Sequence, residues 1–190
     1  MHNQHLSLIY NKNLQSVISD GCDLRTAFSR VLNYFDPYKN KNKKAYVLDC
    51  SYSHMWTEQD LRMFSISKTK NIKGSVSSQK YNIILYEPPR NQNFYRDAIN
   101  SSKAFSKLLY PDGTLIVKMN DFKEKGKKEL RGSFDIWDIF SDEGLYLHDN
   151  VVYNFNRPYN NSVFESNNRT EIVHLYFMVF RKKTKHETGA

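Results

Sequence analysis

Proline has no amide hydrogen and fixes its own φ, so two in a row end a strand wherever they fall. Pro88 and Pro89 close the run Tyr81-Asn-Ile-Ile-Leu-Tyr-Glu87, an apolar stretch that finishes on an acid. Gly113 lies 24 positions beyond Pro89 and opens a second apolar run, Thr114-Leu-Ile-Val-Lys-Met119. Between them Phe94, Ala98, Phe105, Leu108 and Leu109 recur at helical spacing. Two short continuous apolar runs joined by a helix-length segment predict buried parallel strands with a crossover helix. Ligands of such sheets bind outside the carboxyl ends of the strands. Residues 87–90 and 118–121 fall at those ends, so any chemistry is expected there.

The rest of the chain extends the pattern. Asp23 is placed to cap a helix whose stripe is Leu24, Phe28, Val31, Leu32 and Phe35, ended by Asp36-Pro37. Ala45-Tyr-Val-Leu-Asp-Cys50 predicts the first parallel strand, and residues 61–66 a weaker one. Tyr110-Pro-Asp-Gly113 has the composition of a turn. Residues 134–140 predict a short aromatic helix stopping near Gly144. Residues 145–155 and 172–180 predict two final strands, with an Asn-rich loop at 157–168 between them. The expected fold class is therefore α/β: a three-layer open sheet, mostly parallel, with an antiparallel C-terminal edge hairpin. The expected organisation is an N-terminal arm at 1–22, one domain at 23–183 and a basic tail at 184–190.

Charge points to a partner class. The 190 residues carry 28 Lys and Arg against 20 Asp and Glu, a net +8. The cations gather at 39–44, 123–131 and 181–185, and such clusters suit the phosphates of nucleic acid. Cys22 and Cys50 are too few for a disulfide scaffold and lack metal-ligand spacing. His2, His5, His148, His174 and His186 show no ligand spacing either, so no metal is expected. No apolar stretch approaches a membrane span and the first residues do not open a signal peptide. An intracellular protein, cytoplasmic or nuclear and without a membrane partner, is the expectation.

The order of elements resembles the class I S-adenosylmethionine-dependent methyltransferase fold, a Rossmann-like sheet. Within that class the chain resembles the DNA amino-methyltransferases acting on adenine N6 or cytosine N4. Their catalytic tetrapeptide is Asp, Asn or Ser, then Pro-Pro, then an aromatic; here it reads Glu87-Pro88-Pro89-Arg90. Leu109-Tyr-Pro-Asp-Gly-Thr-Leu-Ile-Val-Lys118 resembles the family's approach to its fifth strand, and His174-Leu-Tyr-Phe-Met-Val-Phe-Arg-Lys182 its last strand. Val47-Leu-Asp-Cys-Ser-Tyr-Ser53 stands where the cofactor motif would be.

The resemblance implies S-adenosylmethionine as cofactor, with Asp49, Cys50, Ser51 and Ser53 on the cofactor side. It implies that Glu87 and a proline carbonyl accept hydrogen bonds from the target amino group. Phe94, Tyr95, Lys118 and Asn120 are the substrate-side candidates, Phe94 or Tyr95 standing in for the aromatic that stacks on a flipped base. His54 and Trp56 could line the pocket, and Asn120-Asp121 its rim. Three departures carry physical consequences. Glu87 adds a methylene to the acceptor. Arg90 replaces the aromatic, although a guanidinium plane also stacks on bases. No glycine lies between Gly21 and Gly74, so serine side chains stand where glycine backbone would meet the cofactor, and weak cofactor affinity is expected. No acid near Ile66 matches the residue that holds the ribose in the family.

The functional expectation is a divergent methyltransferase of nucleic acid, with adenine N6 in DNA as leading target. An RNA methyltransferase is one alternative. The other is a catalytically inactive methyltransferase-fold subunit that binds nucleic acid or a partner protein. The short connections leave no room for a target-recognition domain, so sequence choice falls to the basic loops, the arm, residues 157–168, a partner subunit or a homodimer.

Overall fold

The structure, a computed structural model, describes residues 8–9, 16–19, 23–36, 38, 43–52, 55–69, 79–89, 91–120, 122–123, 130–154 and 174–182. Ser53, His54, Arg90, Asp121, the 157–168 segment and the 184–190 tail lie outside them.

Four strands form the parallel half of the sheet: β3 (Ala45–Cys50), β4 (Phe64–Lys68), β5 (Tyr81–Tyr86) and β6 (Leu109–Met119). β5 and β6 are joined by α3 (Phe94–Leu108). β9 (Leu145–Asn154) and β10 (His174–Lys182) form an antiparallel pair, with β10 lying between β9 and β6. Two short N-terminal strands, β1 (Leu8–Ile9) and β2 (Ser16–Ser19), complete an order of β1-β2-β9-β10-β6-β5-β3-β4. A separate ribbon pairs β7 (Phe122–Lys123) with β8 (Leu130–Arg131).

The period of two along the buried strands sorts side chains into two cores. Ile83 and Leu85 of β5, Ile116 of β6 and Phe177 and Val179 of β10 face one side. There they meet α1 (Leu24–Phe35) through Ala27, Phe28, Val31, Leu32 and Phe35. Ile84, Tyr86, Leu115, Val117, Met178 and Phe180 face the other side and pack on α3 and α4 (Ser133–Asp142). Phe105 of α3 and Phe140 of α4 are fully buried and stack with ring centres 6.3 Å apart. Helix–sheet–helix is the three-layer Rossmann-like architecture the sequence predicts.

Three details differ from expectation. Residues 61–66 are not one strand: α2 (Glu58–Met63) comes first, opened by a capping box at Thr57, and the strand begins at Phe64. The N-terminal segment read as an arm adds β2 parallel to β9, with β1 outside it. The β9–β10 pair is therefore two strands in from the edge. Finally, Tyr110-Pro-Asp-Gly113 is absorbed into β6 as an irregularity. Leu109 pairs with Tyr81 and Thr114 with Ile83, so four residues of β6 lie opposite the single Asn82 of β5. Gly113 sits tightly there, since a Cβ would lie 3.0 Å from the Tyr110 carbonyl oxygen.

Candidate functional site at the strand carboxyl ends

β3, β5 and β6 run parallel in register, with Cys50 beside Tyr86 and Tyr86 beside Val117. Their carboxyl ends consequently open on one place. The side chains found there are tied to one another across all three strands. Glu87, just past β5, receives the Tyr52 amide from beyond β3 at 3.2 Å. Its other oxygen receives the Lys118 ammonium from β6, also at 3.2 Å. Both side chains are about nine-tenths buried, at 12% and 9% exposure. Pro88 is buried and Pro89 half-buried, so the corner that turns the chain out of β5 is a fixed wall.

Asp49 organises the cofactor-side loop from below. Its carboxylate is wholly buried. One oxygen accepts the Ser51 amide at 2.9 Å and the Ser51 hydroxyl at 2.6 Å. The other accepts the Trp56 indole at 2.7 Å and stands 3.6 Å from the Lys68 ammonium. Trp56 is held in turn edge-on against Phe28 of α1 at 5.4 Å. Trp56 is thus a brace of the loop, packed into the α1-side core.

This arrangement bears on one of the two serines that stand in place of glycine, since Ser53 lies outside the described residues. Ser51 is 4% exposed and its hydroxyl turns inward onto Asp49. Both the amide and the hydroxyl of Ser51 are turned onto Asp49, so its side chain does not project from the strand ends. Cys50 is buried, and burial together with the Asp49 charge pushes its thiol up to about 12, so it stands as an inert neutral core group.

Asn120 follows β6, two residues after Lys118. Its side-chain oxygen is buried with no hydrogen-bond partner among the described residues. Buried polar atoms are nearly always paired, so this oxygen is available to accept a hydrogen bond.

Other candidates are placed elsewhere. Phe94 is 2% exposed and belongs to the α3-side core, so its ring is not offered to a base. Sequence spacing put it near the corner, but the helical stripe that begins with it faces the sheet. Tyr95 is half-buried, its hydroxyl 2.6 Å from Asp135 of α4 and its ring edge-on to Phe94 at 5.3 Å. Asp60, the acid that precedes β4, caps α2 instead of facing the site: it accepts from the Thr57 amide and hydroxyl and from Ser29.

Sequence reasoning missed Lys68. It pairs in register with Asp49 at the tip of β4, where an acid was sought. The signal was hidden by placing that strand too early. Among the described residues no group of three or more His, Cys, Asp and Glu could hold a metal ion. No described helix is long and apolar enough to cross a membrane.

No protein-family model matches the chain, and no curated protein matches it significantly. Solved structures do. A Leishmania major S-adenosylmethionine-dependent methyltransferase is 13% identical with a TM-score of 0.49, covering 80% of this chain and 70% of its own. A Thermus thermophilus protein described as a candidate DNA modification methylase is 15% identical, TM-score 0.46, over 74% of this chain and 53% of its own. The M1.HpyAVI complex with S-adenosylmethionine is 16% identical, TM-score 0.37, over 56% of this chain and 47% of its own. The chain thus spans about half the length of the last two.

Proposed function

We propose that this protein is a divergent S-adenosylmethionine-dependent amino-methyltransferase of nucleic acid, with adenine N6 in DNA as its target. The observation that carries the reading is Glu87. An acid at the Pro-Pro corner is held by donors from the other two strand ends, at the place where open α/β sheets bind ligands. A fixed, mostly desolvated carboxylate is a strong acceptor for an amino group.

When bound, the cofactor supplies an electrophilic methyl group. The chain's own residues do the rest. Glu87 accepts a hydrogen bond from the target amino group, which turns the nitrogen lone pair outward and leaves the carboxylate ready to take the proton that nitrogen releases. Lys118 and the Tyr52 amide keep the Glu87 carboxylate in one orientation. Pro88 and Pro89 hold the turn rigid, and the Asn120 side-chain oxygen accepts a second hydrogen bond from the bound ligands. Residues 50–52 at the end of β3, shaped by Asp49, would hold the cofactor. Such pre-set geometry is where most of the rate enhancement of group transfer resides.

A second reading is favoured by one observation. Lys68 stands beside Asp49 where an acid would hold the cofactor ribose, which suits a catalytically silent subunit that keeps the fold to bind nucleic acid. Titration calorimetry and a methyl-transfer assay separate the two. Saturable heat with S-adenosylmethionine or S-adenosylhomocysteine, together with methyl transfer that is lost when Glu87 is shortened, supports the enzyme. No heat with either, alongside intact nucleic-acid binding, supports the silent subunit. RNA replaces DNA in the proposal if methyl transfer goes to RNA alone.

A further inference from the structure

At the opposite end of β3 lies an open pocket of about 460 Å³ lined by Tyr38, Lys43, Lys44, Tyr46 and Ser65. Tyr46 is the second residue of β3 and Cys50 the last, so roughly 13 Å of strand separates this pocket from the catalytic end. Tyr46 pairs in register with Ser65 of β4 and is 48% exposed. Lys43 and Lys44 precede the strand and are exposed.

The pocket is built. Asn82 of β5 is 2% exposed and links its two aromatic walls. Its carbonyl oxygen accepts the Tyr46 amide at 3.0 Å, and its amide nitrogen donates to the Tyr38 hydroxyl at 3.3 Å. A buried asparagine thus ties the Tyr46 backbone to the half-buried Tyr38 side chain before any ligand arrives. An exposed aromatic on a rigid strand beside two lysines is the chemistry of single-strand recognition. The ring stacks on a base of any sequence, and the ammonium groups meet flanking phosphates.

We infer that the Tyr38–Lys43–Lys44–Tyr46 pocket is an accessory site for single-stranded nucleic acid, separate from the strand-end site. One unpaired base stacks on Tyr46 while the adjoining phosphates sit against Lys43 and Lys44. Methyl transfer is not required for this, because a silent subunit would carry the same pocket.

Fluorescence anisotropy with a labelled short oligothymidylate, without S-adenosylmethionine, tests it. Tyr46→Ala is expected to weaken binding about tenfold. Tyr46→Phe, which keeps the ring, is expected to bind as wild type. The double variant Lys43→Ala with Lys44→Ala is expected to flatten the log-affinity against log-salt plot by about 1.4, at 0.7 per lost phosphate contact. Thermal melts confirm that each variant is folded, as the exposure of all three side chains predicts. Wild-type affinity in Tyr46→Ala together with an unchanged salt slope in the lysine variant would overturn the proposal. So would equal competition by thymidine monophosphate, which marks a mononucleotide pocket, or by inorganic polyphosphate, which marks charge alone.

Discussion

Asp49 shows how one buried side chain can replace a sequence motif. Three donors converge on it, from Ser51 and Trp56, and Lys68 stands nearby. Asp49→Ala strands the Ser51 and Trp56 donors inside the protein, at about 1–3 kcal/mol for each unsatisfied group. The expected result in urea unfolding is a loss of stability of roughly 2–4 kcal/mol. Asp49→Asn keeps one acceptor and is expected to lose less. An Asp49→Ala protein as stable as wild type would show that the loop is held by something else. This role was not legible in the sequence, because a carboxylate at a strand tip reads equally as ligand or brace until its donors are located. Glu87 was legible, since the proline pair fixes where the strand must stop. Lys118 was legible as a strand-end cation but not as the partner of Glu87, a contact made across 31 positions of chain. His148 offers a pH test. Burial and the neighbouring Arg181 hold its imidazole below the usual histidine range. The unfolded chain therefore binds the proton more readily, so this group's contribution is full above about pH 6.5 and is lost as pH falls below it. Chemical denaturation between about pH 7 and 5 is expected to show declining stability, with the decline reduced in a His148→Gln variant.

At the scale of elements, periodicity and turn residues carried the reading where they were local. β3, β5, β6, α1 and α3 lie where their apolar spacing put them. α4 stops as expected at Gly144, whose φ of 76° is the left-handed conformation of a helix C-terminus. Nothing lies near a Cβ at that position, so Gly144→Ala tests conformational strain alone. It is expected to cost about 1–2 kcal/mol by thermal unfolding, with no change in nucleic-acid binding. What failed was non-local. Residues 16–19 are too few and too polar to announce a strand, and they become one by pairing with β9, far along the chain. Residues 61–66 were misread because the capping box Thr57–Asp60 lies just outside the apolar window that defined the strand. Phe94 was misassigned for a related reason: position near the corner said nothing about which way the helix turned its stripe.

For the whole molecule, the two proposed sites lie at opposite ends of β3. One end of β3 gathers Asp49, Glu87, Lys118 and Asn120. The other end gathers the exposed Tyr46, the half-buried Tyr38 and the exposed Lys43 and Lys44. A net charge of +8 spread over such a body predicts nucleic-acid affinity that falls linearly in log salt. Flat affinity between low and physiological salt would count against nucleic acid as the partner. The central claim is narrower: that Glu87 receives a target amino group. Mass spectrometry of nucleosides from DNA incubated with S-adenosylmethionine and protein tests it most directly. Wild type is predicted to yield N6-methyladenine, and Glu87→Gln to lower the yield at least a hundredfold while S-adenosylmethionine binding by calorimetry is unchanged. Full methylation by Glu87→Gln, or no methylated base from wild type that binds both cofactor and DNA, would contradict it.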